Sequence, residues 1–432
     1  MTEAHAKIEP IGIGAQWWRS REFTIALTLV LVALLIRGAV IFHPGHQPDV
    51  RIFEGWAERG ARYGIINMYN TSLPGRIADY PPSILYLYTA VGNVVEALQG
   101  DFHHAELFIA ILKMPAIIGD ILMGLLLFGL GAHAVGPRRG LAAAGLYLLL
   151  PASWIDSAVW AQADSIYTLL LVAAFAAIAM RRGVLAGVAA GLALTAKFQV
   201  LPFLPLLAVI AVAIDWKLLV RGVVGCIAGI VLVFLPFIRA RNLDQVYNAY
   251  GQAVGAYGIL SVNAFNIWRI AFGDRAAAVS DLTLSGGLSL RTWSLAAFAI
   301  ALALTLYFSA RAVRARESRG QQQVEGVLAS AAVMALVFFV FPTEIHERYL
   351  FPFIALAAIW GTRGRLELLV YCVISLSVGL NIAYSLSISV TDMFFAVIPS
   401  AERLVSVLIV AGGFAATVMI FSQERRPRKR SG

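Results

Sequence analysis

The sequence predicts an all-α membrane protein with about 12 transmembrane helices, within a range of 10 to 13, and amphipathic interfacial helices in a first outer loop. Three observations predict it. The chain of 432 residues is 59% hydrophobic and only 14% charged, with a mean hydropathy of +0.77; soluble domains sit at roughly 45–50% apolar and 25% charged. Nearly uncharged runs such as "FTIALTLVLVALLIRGAVIF" and "LVRGVVGCIAGIVLVFLPFI" reach the ~18 to 20 residues that a helix needs to cross a bilayer. The basic residues gather in the short connections between such runs.

The chain reads as a single integral membrane domain over 1–432. Spans are expected near 22 to 42, 105 to 130, 140 to 154, 164 to 180, 183 to 196, 199 to 214, 218 to 238, 291 to 310, 326 to 341, 347 to 361, 366 to 385 and 401 to 421. The short spans 140 to 154, 183 to 196 and 347 to 361 could instead be tilted pairs or half-helices, and losing two of them keeps the parity. The N-terminal arm with "QWWRSR" lacks a small-residue cleavage site, so the first helix reads as retained rather than as a removed signal peptide.

An even number of spans puts both ends on one side. With cytoplasmic termini, the inner segments hold Lys7, "RSR", "PRR", "RR", "DWK" with Arg221, "RAVRARESR", "TRGR" and the basic tail 422–432. Together these carry more than half of the 34 Lys and Arg residues. Such enrichment in short loops sets orientation, which implies a multi-pass protein of the cytoplasmic (inner) membrane with its long polar connections outside. The net charge of +9 therefore speaks for topology, and no nucleic-acid partner is expected. Cys226 and Cys372 lie inside apolar runs as packing groups, with no disulfide framework.

Two large connections fall on the outer side, residues 43–104 and 239–290. Loops of that length in a compact protein are usually functional. In the first, Asp49 after Pro48 marks a helix start, and Ile52, Phe53 and Trp56 share a face, as in a helix lying apolar side down in the membrane interface. A second helix follows "ADYPPS", with Ile84, Leu85, Tyr88, Val91 and Val95 in register. No repeat or soluble domain is visible.

His43, His46, His103, His104 and His346 map to the outer side with the densest carboxylates, so any chemistry is expected there. Asp49 reads either as an N-cap or as a carboxylate facing an acceptor that arrives from water. Asp79 in "ADYPP" reads as turn chemistry or as a site group. Lys113 and Asp120 in "KMPAIIGD" are two turns apart on one helix face. Ionisable groups at that depth suggest function, with a mutual structural pair as the alternative. "WIDSAVWAQADSIY" brings Asp156, Trp160, Gln162 and Asp164 together, an aromatic and hydrogen-bonding set that suits a sugar.

Lys197 in "LTAKFQV" is a snorkelling anchor or an anion clamp. Glu344, His346, Glu347 and Arg348 in "PTEIHERYLFPF" stand where a lipid phosphate would sit; Arg offers phosphate a planar fork and His a shared proton. The alternative is an interfacial salt-bridged loop. His43 and His46 are spaced i,i+3 without a third ligand, so no zinc site is expected. There is no Walker A loop, G-x-G-x-x-G turn or G-x-S-x-G elbow, which disfavours a soluble nucleotide donor.

In order along roughly residues 20 to 360, "PDVRIFEGWA", "DYPPSILYLY", "KMPAIIGD", "WAQADSIYTLLL", "GLALTAKFQVLPFLPLL", "SVNAFNIW" and "HERYLFPFIAL" resemble the multi-spanning GT-C superfamily of glycosyltransferases. The nearest type is the glycosylphosphatidylinositol-mannosyltransferase-like members. The resemblance implies a GT-C-like fold and an inverting enzyme that moves one hexose, mannose in the first instance, from a polyprenyl-phosphate carrier to a glycan, lipid or protein acceptor on the non-cytoplasmic face, as in cell-envelope glycan assembly.

It also implies that Asp49 is the base. Val50 stands where the family typically has a second acidic residue, so the second carboxylate is sought at Glu54 or Asp79. Arg348, with His346 and Lys197, is expected to bind the donor phosphate; Trp160, Gln162, Asp164, Glu344, Glu347 and Asn263 are expected to contact sugar or acceptor, with Asn266 approaching from the same loop. Partners are membrane lipids and the lipid-linked sugar. No cofactor is expected beyond that donor, and the reading leaves room for a divalent ion. A many-span transporter or lipid-linked-sugar flippase is the alternative, disfavoured because the polar residues gather at one face and the halves do not repeat.

Overall fold

Inside a bilayer a backbone can satisfy its own polar groups only within a helix or a closed barrel, and the chain is helical almost throughout. The computed structural model describes residues 21–100, 102, 105–251, 257–316, 322–389 and 401–422. In chain order the helices are α1 (Arg21–Val40), α2 (Gln47–Tyr63), α3 (Pro82–Gln99), α4 (Ala105–Val135), α5 (Pro137–Leu149), α6 (Pro151–Trp154), α7 (Asp164–Ala179), α8 (Gly183–Leu194) and α9 (Phe203–Ile214). They continue with α10 (Trp216–Arg239), α11 (Leu243–Gly251), α12 (Ile267–Phe272), α13 (Leu290–Arg316), α14 (Gln322–Val340), α15 (Phe351–Leu356), α16 (Ala358–Gly361), α17 (Arg365–Ser389) and α18 (Glu402–Ser422). The described residues also include four two-residue strands. Of these, β1 (Ser261–Val262) pairs in parallel with β4 (Ile345–His346), and β2 (Leu284–Ser285) with β3 (Leu288–Ser289) in a hairpin.

Among the described residues seven helices are long and apolar enough to cross a membrane: α1, α4, α10, α13, α14, α17 and α18. An eighth candidate is the pair Pro137–Leu149 and Pro151–Trp160, bent by 51°. The bend has a local cause: Leu150 precedes Pro151 and is extended, with ψ of 137°. The apolar segments expected at 164 to 180, 183 to 196 and 199 to 214 form helices too short for that measure. The segment expected to span at 347 to 361 does not form one helix. It makes α15 and α16, which are separated at Ala357 and wholly buried inside the bundle.

Helix α14 is the centre of the bundle, with 94% of its apolar window buried, whereas α1 has 11% buried and lies at the outside. Helices α8 and α10 touch backbone to backbone. A Cβ on Gly187 would lie 1.9 Å from the Gly222 carbonyl oxygen, and one on Gly225 would lie 2.2 Å from that of Val184. This is the small-residue packing by which helices associate in lipid, where no hydrophobic effect drives them together. The free Cys226 sits within this contact.

Helices α2 and α3 carry the amphipathic faces read from the sequence. The face of α2 is closed by protein: Phe53 and Trp56 are buried, and Phe53 stacks on Tyr88 of α3 at 5.2 Å. Buried Arg59 of α2 donates to the carbonyls of Asn67, Pro74 and Asn70, tying down the loop that leads to Asp79 and Tyr80.

The two ends of the bundle differ. At one end Asp49, Gln162, Asp164, Lys197 and Arg348 are joined by contacts described below. At the other, Glu325 at the start of α14 accepts from Arg139 at 3.3 Å and from Arg363 at 3.0 Å. His103, His104 and the basic tail after Ser422 lie outside the described residues.

Candidate active site

Asp49 stands in the first turn of α2, where the helix dipole favours an anion. It is not the cap: position His46 precedes the helix, and the Asp49 side chain turns elsewhere. Its Oδ2 accepts from Trp160 Nε1 at 2.9 Å and from Gln162 Nε2 at 2.7 Å, while His46 Nδ1 lies 3.5 Å from Oδ1, at the edge of hydrogen-bonding range. Burial pushes this carboxyl up; the contact with His46, the positive charge of Arg348 and the Trp160 hydrogen bond outweigh it and hold the pKa well below the ordinary carboxylate value.

What aims Trp160 and Gln162 is a π-helical turn, Ile155–Trp160, followed by Ala161 at φ 75°. Left-handed backbone at a residue other than glycine costs on the order of 1 kcal/mol or more and tends to occur at functional sites, as do π-turns. The indole of Trp160 then serves two partners. Its N–H holds Asp49, and the guanidinium of Arg348 lies over its ring, 5.4 Å from the centroid. An anion and a cation from residues 299 positions apart in the chain thereby share one side chain.

The cationic half is built by the start of α7, the turn after α8 and the strand β4 with its following turn. Lys197 forms an ion pair with Asp164 Oδ1 and lies near the rings of Tyr80 and Tyr167. Arg348 Nη1 donates to Glu347 Oε1 at 2.6 Å, and its Nε stands 3.7 Å from Asp164 Oδ2. At that distance neither atom is hydrogen-bonded, and among the described residues neither finds another partner. Burial presses on the Arg348 guanidinium, but Glu347, Tyr80 and Asp49 keep it firmly charged. His346 is driven well down by burial and by the charge of Arg348, so it stands neutral beside the cation and offers a hydrogen bond rather than a charge.

Next to this cluster is a pocket of about 570 Å³. Asp79, Lys197, His346 and Arg348 line it, together with Tyr80, Tyr257, Tyr349 and the amides Gln199, Gln245 and Asn248. Partial burial, and repulsion from Asp49, push the Asp79 carboxyl up. Of the two acidic residues sought beside Asp49, Asp79 is the one that lines the pocket, whereas Asp49, Trp160, Gln162 and Asp164 belong to the adjoining cluster and are not among its lining residues. Glu54, five residues beyond Asp49 on α2 and about 140° round the helix, does not line it.

Other expectations change. Glu344 does not line the pocket: it accepts from Arg291 Nη2 at 2.7 Å and from the amide of Tyr257 at 3.3 Å, and Arg291 is also held by Asp281 at 2.6 Å. Asn263 contributes backbone: it bridges to His346, and its carbonyl accepts from Asn381 at 2.7 Å. Asn266 caps α12 by accepting from the Trp268 amide. Lys113 and Asp120 are not a pair. Lys113 donates to the carbonyls of Ile41 and His43, and Asp120 Oδ2 binds Arg37 Nη2 at 2.8 Å. Asp156 is fully buried in the π-turn and does not line the pocket. Among the described residues no group of three or more His, Cys, Asp or Glu side chains is placed to hold a metal ion.

The tyrosines of the pocket were not singled out from the sequence, although Tyr80 and Tyr349 lie inside the quoted motifs "ADYPP" and "HERYL". Their neighbours in the motif were the available signal. Gln245 and Tyr257 had none, because they come from the second long connection.

No protein-family model and no curated protein matches the chain. Among solved structures it is similar to the archaeal oligosaccharyltransferase AglB of Archaeoglobus fulgidus, solved with an inhibitory peptide and a dolichol-phosphate. That likeness has 14% identity and a TM-score of 0.46, covering 96% of this chain and 57% of that one. It is also similar to ArnT of Cupriavidus metallidurans bound to undecaprenyl phosphate, at 16% identity and a TM-score of 0.49 over 95% of this chain and 78% of that one. The chain thus spans little more than half the length of AglB. With both scores below 0.5, the chemistry of the pocket itself carries the functional reading.

Proposed function

We propose that this multi-pass membrane protein is an inverting glycosyltransferase that moves a single hexose, mannose being the first candidate, from a polyprenyl-phosphate carrier to a hydroxyl acceptor. One observation carries the reading: a held anion, Asp49, at the N–H edge of the Trp160 indole and a held cation, Arg348, over its face meet beside a pocket rich in tyrosine and amide side chains. Displacing a sugar from a phosphate needs both signs of charge at one place. Tyrosine faces and amides suit a sugar's mixed apolar and hydroxyl surface.

In the proposed step the acceptor oxygen forms a bond to the anomeric carbon on the face opposite the phosphate. The bond from that carbon to the phosphate oxygen breaks, and the electron pair leaves with the polyprenyl phosphate. Arg348 Nε, already 3.7 Å from Asp164, donates to the departing oxygen with help from Lys197. Asp49 receives the acceptor's proton. Its depressed pKa makes it a poor base towards a free alcohol, so the proton moves late, once the forming bond has acidified the hydroxyl.

Orientation follows from charge. The end opposite the pocket carries Arg138, Arg139, Arg363 and Arg365, and a surplus of Lys and Arg marks the cytoplasmic side. The pocket would then face outward and both termini inward. The test is to incubate the purified protein in vesicles with a panel of labelled polyprenyl-phosphate sugars and follow release of polyprenyl phosphate and labelling of acceptor. Consumption of one hexosyl donor with transfer of its label supports the proposal. Gradient-driven uptake of a sugar or lipid without cleavage overturns it in favour of a transporter.

A further inference from the structure

A second cavity, of about 810 Å³, lies at the other end of the molecule and plays no part in the proposed reaction. Its walls are Ile25 and Leu29 of α1 and the face of α5 that carries Ala142, Gly145 and Leu149. Its mouth is formed by Arg139 near the start of α5 and by Arg365, the first residue of α17. The gap lies between α1, at the outside of the bundle, and a face of α5 that presents small residues: a Cβ on Gly145 would only reach ordinary contact with Leu29 at 3.6 Å.

Three features say what fits. The groove is apolar along its length and cationic at one end only. From Arg139 to Leu149 the helix rises roughly 15 Å, about half of the ~30 Å hydrocarbon core, which is the depth of one leaflet. Arg139 and Arg365 are the charged residues that line the groove, no carboxylate among the described residues does, and Glu325, the acidic partner of Arg139, is shared with Arg363. We propose that this groove is a binding site for an anionic glycerophospholipid of the leaflet opposite the pocket, with one acyl chain along α1 and α5 and the phosphate at Arg365 and Arg139. Basic pockets between membrane helices select anionic head groups by the same electrostatics, and guanidinium matches phosphate oxygens in pairs.

The full-length protein, purified in detergent, is exposed to phosphatidylglycerol, phosphatidylcholine or a polyprenyl phosphate, and retained lipid is counted by native mass spectrometry. Phosphatidylglycerol should be retained at least tenfold better than phosphatidylcholine. Arg365→Gln should remove most of that preference, and Ala142→Phe, which fills the groove from an exposed position, should abolish retention. Ala301→Phe, in the separate apolar groove between α13, α14 and α18, should leave it unchanged. Equal retention of the two phospholipids, indifference to both substitutions, or preference for the polyprenyl phosphate at this groove would each overturn the proposal. If Ala142→Phe fails to fold, Arg365→Gln, an exposed substitution, decides alone.

Discussion

Two of the arginine–aspartate pairs among the described residues, Arg37–Asp120 and Arg348–Asp164, are buried and built to opposite specifications. Arg37 and Asp120 form a closed set: Arg37 gives Nε and Nη2 to Asp120 at 3.0 and 2.8 Å and Nη1 to the Leu148 carbonyl at 3.1 Å. Asp120 also accepts from Tyr147 at 2.6 Å and Ser157 at 2.5 Å. Both residues are almost wholly excluded from solvent. Arg348 and Asp164 stand 3.7 Å apart, each held by another partner and each with a donor or acceptor left over beside a pocket. Satisfied charge at membrane depth fixes structure; charge held in place but incompletely paired is available to a substrate.

The largest expected effect falls on the closed pair. Arg37→Ala would leave Asp120 buried and uncompensated, at a cost of about 3–5 kcal/mol, read as a lower thermal midpoint in detergent. If the midpoint held, the pair would not be structural. Next, Arg348→Ala should lower the rate of donor cleavage on the order of a hundredfold, whereas Lys217→Ala, on an exposed side chain at the far end, should change it little. Equal losses in the two variants would break the contrast between the ends.

A smaller effect concerns pH. Asp49 is depressed, so it keeps its charge as pH falls through the usual carboxylate value of about 4, and transfer should show no acid limb from this group near pH 5. Arg348 is one cause of the depression, so in Arg348→Gln the residual activity should lose its resistance to acid and the limb should move upward. An unmoved limb would separate the two residues. Smallest of all, Glu54→Gln should leave transfer within about twofold of native, since Glu54 neither lines the pocket, as Asp79 does, nor binds Trp160 and Gln162, as Asp49 does; a loss as large as that of Asp79→Asn would support it as the second carboxylate.

Legibility in the sequence followed the range of the interaction that decides each feature. Apolar run length is local, and it foretold a helical membrane protein. The face of α3 was read correctly at Ile84, Leu85, Tyr88, Val91 and Val95, all buried, because helical register is also local. Motif neighbours brought Asp49, Trp160, Gln162, Asp164, Lys197 and Arg348 into view, and these do converge. Partner choice is not local: Lys113 and Asp120 share a face of α4 and nonetheless bind Ile41, His43 and Arg37 from elsewhere. Glu344 sits two residues from His346, yet its left-handed backbone, φ 60°, turns it towards Arg291. Nor could composition distinguish a spanning helix from the broken pair α15 and α16, since a segment buried in protein is as apolar as one in lipid.

The most direct measurement sets Asp49→Asn beside Asp120→Asn, recording both the thermal midpoint and the rate of hexose transfer per folded molecule. The account predicts that Asp49→Asn loses about a hundredfold or more in rate with its midpoint little changed, while Asp120→Asn melts earlier and transfers at a near-native rate per folded molecule. The same signature in both variants, or undiminished transfer by Asp49→Asn, would contradict it.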